Sequence, residues 1–325
     1  MTDLSIIIVT YKGWERLVKC LSPLAAFAGS AYSKEVIIVD NTPDPCEISP
    51  IKNKYSSFRY IHNHVNGGYG YAVNTGANVA TGNYLLVLNP DTVASEEAID
   101  MMIRTAEEHP VFSVISCRQV NERGKETVVT GSFPEFRNLT GFMRMIFRKA
   151  PVIIENDFMF PDWISGSVML FRREDFSKMC GFDEDFWMYF EDVDICRRAV
   201  NQGGRIALLT NTVIEHNHGG SSRTSRKTTA LTKTEVIISR HIYISKHKQG
   251  LSRVIIQSFL VVNNLVTGLI MSVPGVILFF IPKLSVRTVI FGRLCRYYVS
   301  AVLYSTWLSP QSVNYRKEVH DYQEI

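Results

Sequence analysis

The stretch Ser5-Ile6-Ile7-Ile8-Val9-Thr10-Tyr11 decides the reading of the fold. Its apolar residues run without alternation, so both faces of a strand built from them must be covered, as in a central parallel strand with helices on each side. The same design returns at Val36-Ile37-Ile38-Val39, followed by Asp40-Asn41, and at Tyr84-Leu85-Leu86-Val87-Leu88, followed by Asn89-Pro90-Asp91. Between the runs, helices are predicted over Trp14–Ala28 and about Tyr71–Ala80. The order strand, helix, strand, helix, strand predicts an α/β sandwich. Each run ends in a polar group. Ligands of open parallel sheets bind outside the carboxyl ends of the strands, so Thr10, Asp40 and Asp91 are expected along one crevice.

Working outward, a second block over Trp163–Leu209 predicts strands at Val168–Arg172 and Arg205–Leu209 around an acidic segment, Asp183–Asp194. The stretch Arg118–Pro161, with its Gly, Pro and basic residues, is read as an excursion over the active site. A first domain over 1–235 is expected, with one half at about 1–117 and another at about 160–235, followed by a helical region over 236–325.

Of the 325 residues, 46% are hydrophobic and 20% charged, enough apolar surface for a substantial core and too little charge for a disordered chain. The charge is unevenly spread. Residues 236–325 hold ten Lys/Arg against three Asp/Glu, whereas the remainder holds 25 against 28. An acidic front fits metal or phosphate chemistry, and a basic tail fits an anionic surface. The six cysteines are scattered without zinc spacing, which predicts reduced thiols in the cytosol. The N-terminus enters a strand directly and lacks signal-peptide architecture.

Val254–Pro282 contains no charged residue and is long enough to span a bilayer. Gln257, Asn263, Asn264, Ser272 and Pro274 dilute it, and cations flank both ends. Helices lying in the membrane interface, or a shallow hairpin, are therefore expected in preference to a span. A soluble helical subdomain is the competing reading.

Four motifs carry chemistry. In Leu88-Asn89-Pro90-Asp91, a carboxylate held in a turn after a buried strand supplies a hard oxygen ligand for magnesium or manganese. In Phe190-Glu191-Asp192-Val193-Asp194, acids crowd behind the aromatic run Phe186–Phe190. That neighbourhood raises a carboxyl pKa toward the range of a general base. His216 and His218 precede a Gly- and Ser-rich loop, where an imidazole can complete a metal shell. In Asn66-Gly67-Gly68-Tyr69-Gly70-Tyr71-Ala72-Val73-Asn74, glycines permit close backbone approach. Val73 occupies the place of the third glycine of G-x-G-x-x-G, and G-x-x-x-x-G-K-[ST] is absent. A dinucleotide site and a P-loop are thereby excluded.

Together these residues resemble family 2 glycosyltransferases of the GT-A fold, and most of all the bacterial rhamnosyltransferase branch that builds O-antigen and other surface polysaccharides. The resemblance covers residues 4–222. It implies a Rossmann-like nucleotide-binding sheet flanked by helices, with a C-terminal helical, membrane-associated region. It implies that Thr10, Tyr11, Asp40 and Asn41 hold the base and ribose of the donor, with Gly67, Gly68 and Asn74 shaping that pocket. Asn89 and Asp91 stand where the family carries D-x-D, so Asp91 is left with most of the metal ligation, joined by His216. Asp192, beside Glu191, matches the catalytic base. Trp163 and Gly166 would line the acceptor side.

The implied reaction is a single inverting displacement with a divalent metal, Mg2+ or Mn2+, at the inner face of the cell membrane. It uses a nucleotide-diphosphate sugar, first dTDP-rhamnose, and a lipid-linked glycan acceptor. A UDP-hexose donor and a non-catalytic nucleotide-sugar-binding relative are the alternatives. A nucleotidylyltransferase is disfavoured because G-x-G-T-R-x-x-P is missing from the first strand, and no nucleic-acid partner is expected.

Overall fold

The computed structural model describes residues 2–27, 29–43, 48–139, 152–217 and 225–315. The chain divides into two compact units. One comprises Met1–Phe133, Arg148–Asp183 and Glu191–Gly220. The other comprises Pro134–Phe147, Glu184–Phe190 and Ser221–Ile325. This is not a single cut at residue 235: two inner segments belong with the C-terminal part.

The first unit is built on one mixed sheet. In chain order its elements are β1 (Leu4–Thr10), α1 (Trp14–Ala26), β2 (Lys34–Asp40), α2 (Ser49–Lys54), β3 (Arg59–His62), α3 (Tyr69–Val79), β4 (Tyr84–Leu88), β5 (Thr92–Val93), α4 (Glu96–Glu108) and β6 (Phe112–Val120). After these come β7 (Thr130–Gly131), β8 (Ile153–Glu155), β9 (Phe158–Phe160), β10 (Trp163–Ile164), β11 (Val168–Arg172), α5 (Arg173–Lys178), α6 (Glu191–Asn201) and β12 (Arg205–His216). The sheet order is β3-β2-β1-β4-β11-β6-β12-β9-β8. The three runs that opened the reading are β1, β2 and β4, parallel neighbours. Their buried residues form one core with α1 and α4. Thr10 pairs with Asp40 and Ile8 with Leu88, so the polar run-ends leave the sheet at one edge. α3 lies close over β1 and β2: a Cβ on Gly76 would stand 2.7 Å from Ile7 Cγ2.

The sheet turns mixed at β11, which runs antiparallel to β4 and β6. The expected excursion over 118–161 divides: residues 121–127 leave the sheet and line the cleft beside Asp91, whereas its two ends lie in the sheet. β6 carries it on to Val120 within the sheet, and β8 and β9 extend the far edge against β12. Their Phe158 and Phe160 pack with Phe112, which explains why the segment stays on the sheet. Residues 140–151 lie outside the described part, as do Cys46, Ala28, His218 and 219–222. Cys20, Cys117, Cys180, Cys196 and Cys295 are free thiols.

The second unit contains three long helices, α7 (Arg226–His247), α8 (Gly250–Ile277) and α9 (Pro282–Leu303). Ser225 caps α7 by accepting from Thr228 N at 3.1 Å. α8 and α9 form a helical hairpin through residues 278–281. Three of the five residues expected to dilute α8 face inward with Ile256 and Leu260, whereas Asn263 is half-buried and Pro274 exposed. Gln257, Asn264, Ser272 and Gly275 are buried, whereas Leu251, Val254, Val262, Val266, Ile270 and Val276 are exposed. Gln257 Oε1 accepts from Nδ1 of the buried His241, and Tyr298 OH meets His241 Nε2 at 2.9 Å. Asn264 Nδ2 donates to the same hydroxyl at 2.9 Å, and Trp307 stacks on the imidazole. Burial pushes His241 down to about 4, so the ring is neutral, with one donor and one acceptor, both used.

Replacing Gln257 by Leu strips a buried N–H of its acceptor without opening a hole. An orphaned buried donor costs about 1–3 kcal/mol. Urea unfolding of Gln257→Leu is expected to show a loss in that range, and an unchanged midpoint would refute the role assigned to this network.

Candidate active site

The site is assembled at the carboxyl edge of the parallel strands of the first unit. Beyond β4 the chain turns at Asn89-Pro90-Asp91. Asn89 O accepts from Thr92 N at 3.2 Å and from Thr92 Oγ1 at 2.7 Å. β5 then pairs with the end of β12, with Thr92 opposite His216, and Asn217 N donates to Asp91 O at 3.0 Å. This register places Asp91 Oδ1 3.3 Å from His216 Nε2.

The tautomer of His216 follows from its other nitrogen. Nδ1 lies 2.7 Å from Gln119 Oε1, an oxygen that only accepts, so Nδ1 carries the hydrogen. The same oxygen accepts from Ser167 Oγ at 2.9 Å, which fills both of its lone pairs. Nε2 therefore faces a carboxylate oxygen: with a hydrogen it donates to Asp91, and without one it turns toward Asp91 a lone pair that a cation shared with the carboxylate would take. Asp91 and His216 thus offer a divalent cation one hard oxygen and one imidazole nitrogen, and the other ring nitrogen donates to the Gln119 carbonyl, which holds the ring in place. Among the described residues no group of three or more His, Cys, Asp or Glu gathers there. Phosphate oxygens and water would complete the shell. Gln119 is buried on β6 and was not singled out from the sequence, since nothing local distinguishes it and its partner is 97 positions away.

Ser167 and Gly166, in the turn between β10 and β11, join this arrangement to the acids. Ser167 O accepts from Asn89 N at 2.9 Å. Gly166 N donates to Asp192 Oδ2 at 3.1 Å, and Gly166 O accepts from Tyr69 OH at 2.7 Å. Asp91, Glu191 and Asp192 all act on Tyr69, whose phenol burial raises well above its ordinary range. Asp91 and Asp192 therefore flank one turn and one tyrosine.

The three acids of α6 have different surroundings. Asp194 is buried and paired with Arg198 at 2.7 Å. Glu191 is buried too, and its Oε2 has no partner among the described residues. Burial first, and then the charge of Asp192, raise its carboxyl well above the usual range. Asp192 is partly open. Burial raises it, but N–H groups of Gly166 and Val193 oppose the shift. The backbone leading into α6 is strained, with φ of 70° at both Tyr189 and Phe190.

On the donor side, Thr10, Asp40 and Asn41 are buried beneath the edge, and Tyr11 is exposed. Thr10 Oγ1 has no partner among the described residues. Asp40 Oδ1 accepts from Thr42 N at 3.0 Å. Asn41 Nδ2 fastens the glycine loop through Asn66 Oδ1 and Gly68 O, both at 3.0 Å. Gly67 lies against the Tyr71 ring, and Gly68 has φ of 101°, conformations that favour glycine. Asn74, expected in the pocket wall, turns its amide to Phe182 instead, donating to O at 2.8 Å and accepting from N at 2.9 Å. It clamps the 181–182 turn onto α3. Trp163 covers Gly131 and donates to Ser132 O at 3.1 Å. A cleft of about 710 Å³ opens beside Asp91, lined among others by Arg16, Lys19, Asn121, Arg123, Lys125 and Asn217.

Comparison with known proteins follows this geometry. The family described as Glycosyl transferase family 2 matches residues 5–179, and that described as N-terminal domain of galactosyltransferase matches 155–219. Rhamnosyltransferase WbbL of Escherichia coli (strain K12) is 27% identical over 182 residues, 52% of this chain and 68% of that protein. N-acetylglucosaminyl-diphospho-decaprenol L-rhamnosyltransferase of Mycobacterium tuberculosis is 27% identical over 252 residues, 68% of this chain and 78% of that protein. Among solved structures, GalNAc-T7 with UDP, GalNAc and Mn2+ superposes with a TM-score of 0.53 at 15% identity, covering 76% of this chain and 50% of that one. S. aureus TarS 1-349 in complex with UDP-GlcNAc gives 0.52 at 18% identity, covering 80% and 71%. These likenesses establish the GT-A fold.

Glu191 yields a test of the electrostatics. Its folded pKa lies above the unfolded value near 4.5, so its contribution to stability is full below that pH and is lost as pH rises through the folded value. Glu191→Gln removes this loss. Melting temperature is expected to fall less for the variant than for the wild type between pH 4 and 8, and parallel curves would contradict the raised carboxyl.

Proposed function

Since the chain belongs to glycosyl transferase family 2 and is a glycosyltransferase of its rhamnosyltransferase-like branch, we propose that it transfers L-rhamnose from dTDP-rhamnose, with inversion, to a lipid-linked glycan. The observation that carries the catalytic part is the convergence of Asp91 with His216, and of Asp192, on the turn at Gly166-Ser167. The two rhamnosyltransferase relatives support the donor, and the diphospho-decaprenol in the name of the second supports the acceptor.

In this reading Thr10, Tyr11, Asp40 and Asn41 receive the nucleoside, and the orphaned Thr10 hydroxyl gains a partner there. Asp91 and His216 would hold Mg2+ or Mn2+, which when bound offsets the charge growing on the leaving diphosphate. Arg16, Lys19, Arg123 and Lys125 line the cleft beside Asp91 and add positive charge on that side. Asp192 is the base. Of the two coupled acids, Glu191 has an oxygen with no donor and retains a proton more readily. Asp192 is steadied by two N–H groups and is the one left ionised, with access to the acceptor hydroxyl. Trp163 and Gly166 lie on the acceptor side of that carboxylate.

We further propose that the chain works peripherally on the cytoplasmic face of the membrane. Its support is the exposed apolar face of α8 with the tip at Phe279 and Phe280, each more than 60% exposed. Among the described residues α8 is the one helix apolar and long enough to cross a bilayer, and only 22% of its most apolar window is buried.

Asp192→Asn is expected to lower turnover by about 10²–10⁴-fold while thermal shifts with dTDP-rhamnose and metal stay near the wild-type value. Near-normal turnover would remove Asp192 from the role of base. For the membrane reading, Val262→Asp with Ile270→Asp is expected to weaken flotation with phosphatidylcholine vesicles at least about tenfold, from the transfer energy of two apolar side chains. Wild-type flotation of that variant would sink it.

A further inference from the structure

The second unit carries a cleft that the transferase chemistry leaves unused. It measures about 770 Å³ and lies between α7, α9 and the chain at 310–315. Arg226 and Lys227 line it from the start of α7, and Arg293 and Arg296 from α9, with Tyr297 and Glu235 between them. Among the described residues, none of the four cations has a carboxylate within ion-pair distance, although ion pairs elsewhere in this unit join Lys246 to Asp185 and Lys248 to Glu135.

The single acid does not neutralise them. Glu235 is only 2% exposed and accepts from Ser309 Oγ at 2.7 Å. Burial pushes its carboxyl up to about 7, against the opposing effects of Ser309 and Arg293. Near neutral pH the cleft is therefore strongly positive. Gathering like charges with no ion-paired carboxylate among the described residues is unfavourable, and an anion relieves it. Guanidinium groups match phosphate oxygens through paired N–H donors, and the volume lies within the range of small-ligand sites. The remaining exposed residues of α9 include Val289, Val299, Val302 and Leu303, which are apolar. The cleft thus combines anion-binding cations with a neighbouring greasy helix surface.

We propose that this cleft is an anion site that takes a phosphate or diphosphate group, carried either on a lipid headgroup or free in solution. The site belongs to the second unit alone and stands apart from the catalytic reading, and only its lipid source shares the membrane reading.

The test uses the full chain, Arg293→Gln/Arg296→Gln, and separately Arg226→Gln/Lys227→Gln, each checked for wild-type melting. Calorimetry with pyrophosphate in the presence of a chelator probes the free anion without metal at Asp91. Sedimentation with vesicles of phosphatidylcholine, alone or mixed with phosphatidylglycerol, probes the headgroup. Each cation near an anionic surface contributes about fivefold, so either double variant is expected to lose about thirtyfold of the preference for phosphatidylglycerol while keeping its affinity for phosphatidylcholine. Saturable pyrophosphate binding lost in the variants supports the site with a soluble source. Loss of the vesicle preference without pyrophosphate binding supports it with a lipid source. Pyrophosphate binding with no affinity for any vesicle supports the site and sinks the membrane reading. Variants that keep both the wild-type pyrophosphate affinity and the wild-type vesicle preference overturn the proposal.

Discussion

A single buried carbonyl oxygen, Oε1 of Gln119, organises the candidate site. It accepts from His216 Nδ1 and from Ser167 Oγ, and with both lone pairs engaged it fixes which face of the imidazole remains available. Nε2 then stands beside Asp91, and the pairing of Thr92 with His216 keeps the two together. Ser167 ties the same oxygen to the turn whose Gly166 N–H holds Asp192. Five separate parts of the chain are thereby held by groups too short to stretch. A cation-ready pair on one side and a carboxylate on the other follow from one acceptor being shared.

The acids of α6 show how a contiguous charge cluster divides into different roles. Three carboxylates within four residues repel one another, and the helix start alone does not remove that cost. The fold separates their environments instead. Asp194 goes to Arg198, whose guanidinium also reaches Gly181 O at 2.8 Å and so ties α6 to the preceding turn. Glu191 is driven inward, where charge is disfavoured. Asp192 is left with N–H donors and an opening. One acid whose charge burial disfavours, one paired and one held by N–H donors share four residues with less repulsion than three equal charges would feel.

Sequence reading succeeds here where burial is uniform and fails where it is selective. β1, β2 and β4 were legible because strands covered on both faces leave unbroken apolar runs, and their polar ends were legible because the edge of such a sheet is where ligands bind. β8 and β9 were not, since Ile153 and Ile154 at the sheet edge are exposed and follow no burial rule. Gln119 was invisible because an isolated polar residue in a strand declares its partner only in three dimensions. The motif around Asn74 was recognisable, but the direction of its amide, toward Phe182 rather than toward a nucleotide, depends on the clamp between α3 and the 181–182 turn. The aromatic run Phe186–Phe190 precedes the acids in sequence. All of it belongs to the second unit, where Ser239 Oγ donates to Met188 O at 2.9 Å.

α8 carries the strongest lesson, because its polar residues read in opposite senses in one and three dimensions. Along the sequence they weaken the case for a lipid-facing helix. In the fold Gln257 and Asn264 turn inward, where His241 and Tyr298 satisfy them, Ile256 and Leu260 are buried on the same helix, and most of its other apolar residues are left outside. A soluble helix bundle arranges these the other way, since apolar burial is its main driving force and polar groups keep their hydration by staying out. Ile256 and Leu260 share the interior with these amides, so α8 buries a stripe of mixed character in which the amides of Gln257 and Asn264 are paired, and it leaves a broad apolar face outward. Such a face loses its cost where the surroundings are themselves apolar, and the proposed membrane contact rests on that face.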